Sequence, residues 1–162
     1  MGLRAIGGVS TAFVSLICAS QARADDFVVL NAPGYRTVVV ADLNTLERSG
    51  DELRVGVFIF PRTGSGADML QAAAVMKCGR NIMNSDRTAY YDVTITQGRL
   101  AALRLIREEV SNFDGNTGTQ YGLDNRVYAA LLPLCGGTPA SARREKGDEN
   151  AIVAKLAPEF VP

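Results

Sequence analysis

The sequence predicts an α+β fold: a small, mainly antiparallel β-sheet with one or two helices and one disulfide. Three observations carry this. Short runs of β-branched and aromatic residues recur along the chain, separated by Gly, Pro and Asn turn chemistry. Helical spacing of apolar residues emerges clearly only late, after Asp124. Of the three cysteines, Cys18 lies in an N-terminal leader, which leaves Cys78 and Cys135 as an even pair.

The leader sets the compartment. Met1 to Arg4 is a short positive start, and Ala5 to Ser20 is mostly apolar and uncharged. Ala22-Arg23-Ala24 offers small residues at the two positions a signal peptidase reads, so residues 1–24 read as a secretory signal cut before Asp25. Gly7, Gly8, Ser10, Thr11 and Ser15 interrupt the apolar stretch too often for a membrane span, which needs about 20 strongly apolar residues. Ile17 stands where a lipoprotein signal would need a small residue before Cys18. In an oxidising compartment the remaining two cysteines read as one disulfide. Free buried thiols are the alternative. A zinc site would need ligands that a chain without histidine does not offer beside two cysteines.

Phe27 to Leu30 and Thr37 to Val40 read as two strands around the turn Asn31 to Gly34. Asp42 to Arg48 reads as a single helical turn, broken by Ser49-Gly50. Leu53 to Phe60 is the clearest strand. Leu53, Val55, Val57 and Ile59 share one face, and the other becomes apolar at Phe58 and Phe60, as for a central strand covered on both sides. Thr63 to Gly66 is a flexible loop without the Gly-Lys-Ser/Thr ending of a phosphate loop.

Met69 to Lys77 suits a helix by propensity, but its approach to Cys78 could equally be a strand. Ile82 to Thr96 is extended, with Tyr90, Tyr91, Val93 and Ile95 as strand formers, and Gln97-Gly98 is a hairpin turn. Leu100 to Ile106 returns as a strand, with a helix the lesser alternative. Asn112 to Gly122 is a loop; its Asp114 and Asn116 lack the further ligands of a calcium loop. Asp124 caps a helix carrying Val127, Ala130, Leu131 and Leu134, with an irregular last turn at Pro133. The composition changes at Gly136. Residues 25–135 then form a single domain and 136–162 a mobile C-terminal tail, in which Ala151 to Leu156 could dock as an edge strand.

The chemistry is defined by what is missing. No histidine means no Ser-His-Asp or Cys-His nucleophile and no neutral-pH proton carrier. The chain has 17 basic and 17 acidic residues; without Arg4 and Arg23 the balance is about −2, which excludes a strongly basic nucleic-acid binder. No cofactor or metal is expected. Glu108 and Glu109, being adjacent, point to opposite faces of a strand. Arg80, Arg87, Tyr90 and Tyr91 are the candidate protein-binding residues, because Arg and Tyr concentrate at binding hot spots. On one strand, Arg87 and Tyr91 would share a face. Their alternative is ordinary packing, with tyrosines half in the core and arginines solvated.

The order of these pieces resembles the bacterial surface-adhesin protein E family. The resemblance rests on Val38 to Asp42, Leu46-Glu47-Arg48-Ser49-Gly50 and the apolar strand Leu53 to Phe60. It continues through Val75-Met76-Lys77-Cys78-Gly79-Arg80, Tyr91-Asp92, Gln97-Gly98 and a closing Cys135, spanning about 28–135. It departs from the family in lacking a tryptophan before the second cysteine and in its long tail. The resemblance implies a disulfide tying a strand to the C-terminal helix and a non-enzymatic role at the cell envelope.

The expected function is an exported, non-catalytic binding module, in the periplasm or at the cell surface, recognising a protein or an envelope polymer. A homodimer is allowed, and no transmembrane segment is expected after the leader. Two other classes compete: an envelope hydrolase using converging carboxylates, and a structural or inhibitory subunit pairing through an edge strand near 151–156.

Overall fold

The computed structural model describes residues 26–31, 34, 36–61, 66–80, 82–110 and 125–161. The expected leader, its Cys18, the glycine loop at 63–65, the loop at 112–122 and the Asp124 cap lie outside them.

Among the described residues seven strands form one sheet, and every pairing in it is antiparallel. They are β1 (Asp26–Asn31), β2 (Val38–Ser49), β3 (Glu52–Phe60), β4 (Met69–Lys77), β5 (Ile82–Thr96), β6 (Arg99–Val110) and β7 (Arg143–Lys146). The spatial order is β6-β5-β4-β3-β2-β1-β7, a six-strand meander closed by β7 beside β1. The fold is thus the small antiparallel α+β architecture that the alternating patterns predict. Met69 to Lys77 and Leu100 to Ile106 are both strands: each pairs antiparallel with β5, with register shifts along the way. Gln97 and Gly98 both hold positive φ, of 52° and 71°, as the tight β5–β6 turn requires.

The period of two in β3 divides two cores. Leu53, Val55, Val57 and Ile59 face one side, with Val39, Ala41, Leu70, Ala72 and Tyr90 from the neighbouring strands. Helix α1 (Asn125–Leu131) and a 3₁₀ turn (Leu132–Gly136) cover that side with Val127, Leu131 and Leu134. Pro133 makes the tightened turn, as expected. The other side carries Phe27, Val29, Val40, Phe58, Phe60, Met69 and Val93. It is covered by helix α2 (Glu149–Phe160) through Ile152, Val153, Leu156 and Ala157. Among the described residues no helix is long and apolar enough to cross a membrane.

Cys78 and Cys135 are bonded, with an S–S distance of 2.04 Å. The bond joins the end of β4 to the 3₁₀ turn. Arg48 seals the same junction, its guanidinium donating to the carbonyls of Leu134 and of Cys135 (3.1 Å).

Two expectations are corrected. Asp42 to Arg48 is not a helical turn but part of β2, which bulges: Asp42 opposes Gly56 and Glu47 opposes Arg54, so residues 43–46 bow out opposite Val55 alone. Leu43 and Leu46 both pack into the first core, and their spacing of three imitates a helical turn. The second correction concerns 136–162, expected as a mobile tail with an edge strand at 151–156. It carries β7 and then α2, so Ala151 to Leu156 is helical and buries Ile152, Val153 and Leu156. The cause is pairing that sequence alone hides. Asp148 caps α2 by accepting from the Ala151 N–H at 2.8 Å. The charges of β7 are matched across the fold, Arg144 to Asp26 at 2.7 Å and Arg143 to Glu159 at 2.7 and 2.9 Å. The sheet edges are therefore β6 and β7.

Glu145, the buried member of β7, accepts from Lys155 at 2.5 Å and from Arg143 at 2.6 Å. Lys155 first, and then Arg143, hold its carboxyl below the usual carboxylate range, and Arg143 does the same for Glu159. A carboxyl whose folded pKa is depressed adds stability that is present above its unfolded pKa and lost as pH falls through the folded value. The expected result is a thermal midpoint that declines between about pH 5 and pH 3. Glu145→Gln should flatten that decline; an unchanged slope would show that the β7–α2 clamp does not respond to acid.

Candidate binding groove

Helix α2 is 12 residues long, about 18 Å at 1.5 Å per residue, and it covers only part of its face of the sheet. The uncovered part, beside Glu149 at the helix start, is a groove of about 340 Å³. Its floor is made of small residues on three adjacent strands: Gly56 of β3, Ala73 of β4 and Ala89 of β5. Gly56 and Ala73 are direct partners in the ladder. A side chain at 56 has little room, because a Cβ there would stand 3.0 Å from Thr45 Oγ1, which accepts the Gly56 N–H at 2.8 Å.

Irregularities in the sheet shape the walls. The β2 bulge brings Asp42 to one side, its Oδ1 accepting from the Asn44 N–H (2.9 Å) and Nδ2 (3.1 Å). A register shift between β4 and β5 falls opposite Ala73, where β5 carries Asp86 and Arg87. Another, between Tyr90 and Tyr91, leaves Ile106 without a partner on β5 and sets Glu108 opposite Ala89. Bulges re-aim side chains, and here three surround one depression. Arg87 and Glu108 form an ion pair on the β5–β6 side. Across the groove the Tyr91 hydroxyl donates to Gln71 Oε1 (3.4 Å), and Gln71 Nε2 donates to Glu149 Oε2 (3.2 Å). Phe58 adds an aromatic wall.

The four candidate binding residues separate. Arg87 and Tyr91 share the groove face, as their spacing implies for one strand. Tyr90 points to the opposite side and is buried in the first core. Its hydroxyl donates to Glu109 at 3.0 Å, and the Arg107 guanidinium lies 3.8 Å from its ring centre. Burial raises the Tyr90 phenol above its ordinary pKa. It is an anchor of the β5–β6 ribbon. Arg80 sits in the turn after β4, paired with Asp51 at 3.4 Å, away from the groove lining. Glu108 and Glu109 do point to opposite faces, since their partners Ala89 and Thr88 do.

No family model matches the chain, and neither a curated protein nor a solved structure matches it. The groove is therefore read from its own chemistry. Arg87 holds the Glu108 carboxyl below the usual carboxylate range, and Glu108 raises Arg87 in return, so both stay charged. A general acid would need its carboxyl pushed up instead. Among the described residues no group of three or more His, Cys, Asp or Glu could hold a metal.

Sequence reasoning missed Asp42, Gln71, Glu149 and the small-residue floor. Glu149 was findable: Asp148, then apolar Ile152, Val153, Leu156 and Ala157, is a cap followed by a helical stripe. Nothing local in the sequence marks Asp42 or Gln71, which meet only through sheet register.

Proposed function

We propose that this protein is an exported, non-catalytic binding module of the bacterial cell envelope, as the resemblance to surface-adhesin protein E implies, and that it holds its partner in the groove. The observation that carries this reading is the groove's lining: a small-residue bed with Phe58 and Tyr91, flanked by Asp42, Arg87, Glu108 and Glu149. The disulfide supports it too, since such bonds persist in oxidising compartments. The partner class is a protein or an envelope polymer.

The test is proximity labelling in intact cells with the full-length chain, comparing wild type with Tyr91→Ala and Arg87→Ala. The expected result is processing at Asp25, labelling of envelope components, and loss of one labelled component in both variants with folding intact. A leader-bearing chain soluble in the cytosol would overturn export. An unchanged labelling pattern in both variants would remove the groove from the function. Hydrolysis of an envelope polysaccharide that Glu149→Gln abolishes would replace the binding reading by the hydrolase.

A further inference from the structure

The reading of the groove as a binding site can be taken further, to the chemistry of what enters it, and the inference rests on that reading. The bed is apolar: Gly56, Ala73 and Ala89 line it together with Phe58 and Tyr91. Such a bed suits an extended aliphatic stem. The charge at its borders is unbalanced. Glu108 is matched by Arg87, but among the described residues Asp42 and Glu149 have no basic side chain paired with them. Their hydrogen-bond donors are neutral amides, from Asn44 and Gln71. Two carboxylates beside an apolar bed complement a group that is aliphatic along its length and cationic at its tip.

We infer that the groove receives a basic side chain, arginine or lysine, presented by a protein partner. The stem lies over Ala73 and Ala89, and the cation takes the carboxylate side between Asp42 and Glu149. Arg87 and Glu108 compensate each other on the β5–β6 side, so the cation is drawn to Asp42 and Glu149. An anionic polymer would meet two uncompensated carboxylates and is disfavoured by the same charges.

The test uses the oxidised chain from Asp25 onward, labelled with nitrogen-15 and titrated with acetyl-Gly-Arg-Gly-amide, with acetyl-Gly-Glu-Gly-amide as the control. The expected result is saturable shifts of the Gly56, Ala73, Ala89 and Tyr91 amides with the arginine peptide alone. Glu149→Gln, an exposed change at the helix start, should weaken binding about fivefold. Asp42→Asn supplies a second variant, checked for an intact bulge through the Gly56 amide. Shifts scattered over the acidic surface, or equal affinity in both variants, would overturn the inference. So would equal binding of the glutamate peptide. If envelope labelling needs Tyr91 while the arginine peptide leaves the groove unmoved, the inference fails and the binding module stands.

Discussion

Replacing Cys78 and Cys135 together by serine is expected to lower unfolding stability by about 4 kcal/mol, the chain-entropy value for closing a loop of 57 residues. Proteins of this size have only about 5–15 kcal/mol in total, so the loss is a large share. The structure says where it would be felt. The bond ties the β4 end to the 3₁₀ turn, and that turn carries Leu134 into the first core. Without the bond, the turn would be held by the packing of Leu134 and by the two carbonyl contacts of Arg48. The loosened part should be α1 and the turn, with the meander intact. Hydrogen exchange at Val127, Leu131 and Leu134, against that at Val57, reads the difference. Urea midpoints give the total, and intact mass of the wild type should fall about 2 Da below its reduced form. A double variant as stable as the wild type would show that the clasp adds nothing.

Leu156→Ala should cost about 2–5 kcal/mol, because Leu156 is fully buried under the second core. The magnitude matters because the residue lies in the stretch that composition assigns to a tail. Exposed tail residues tolerate alanine within about 0.5 kcal/mol. Truncation after Gly147 should do more, by uncovering Phe27, Val40, Phe58 and Phe60 at once and leaving a chain that does not fold cooperatively. A truncated chain with the wild-type melting curve would return 148–162 to the solvent.

The strands were legible because their two faces are written in a period of two. β3 shows this best, with one apolar face throughout and a second that becomes apolar where α2 covers it. The hairpin at Gln97-Gly98 and the cysteine pairing were legible for equally local reasons. Three things were not. Leu43 and Leu46 point to one core because the strand bulges, and a bulge and a helical turn produce the same spacing. The charged run Arg143 to Lys146 looks solvated because its partners, Asp26, Lys155 and Glu159, are named only by the fold. The groove was half legible. Arg87 and Tyr91 follow from strand periodicity, whereas Tyr90 and Arg80, similar in type, are set apart by one residue of alternation and by a turn. Asp42, Gln71 and Glu149 come from three elements that sequence order keeps far apart.

Pairing of β1 with β7 has a temporal side. Strands β1 to β6 can zip in the order they are made, each against the one before. The free edge of β1 waits for Arg143 to Lys146, and the aromatic side of the sheet waits for α2. A nascent polypeptide emerging N-terminus first thus keeps this side of the meander open until α2 has been made, which leaves it sticky if synthesis stalls early.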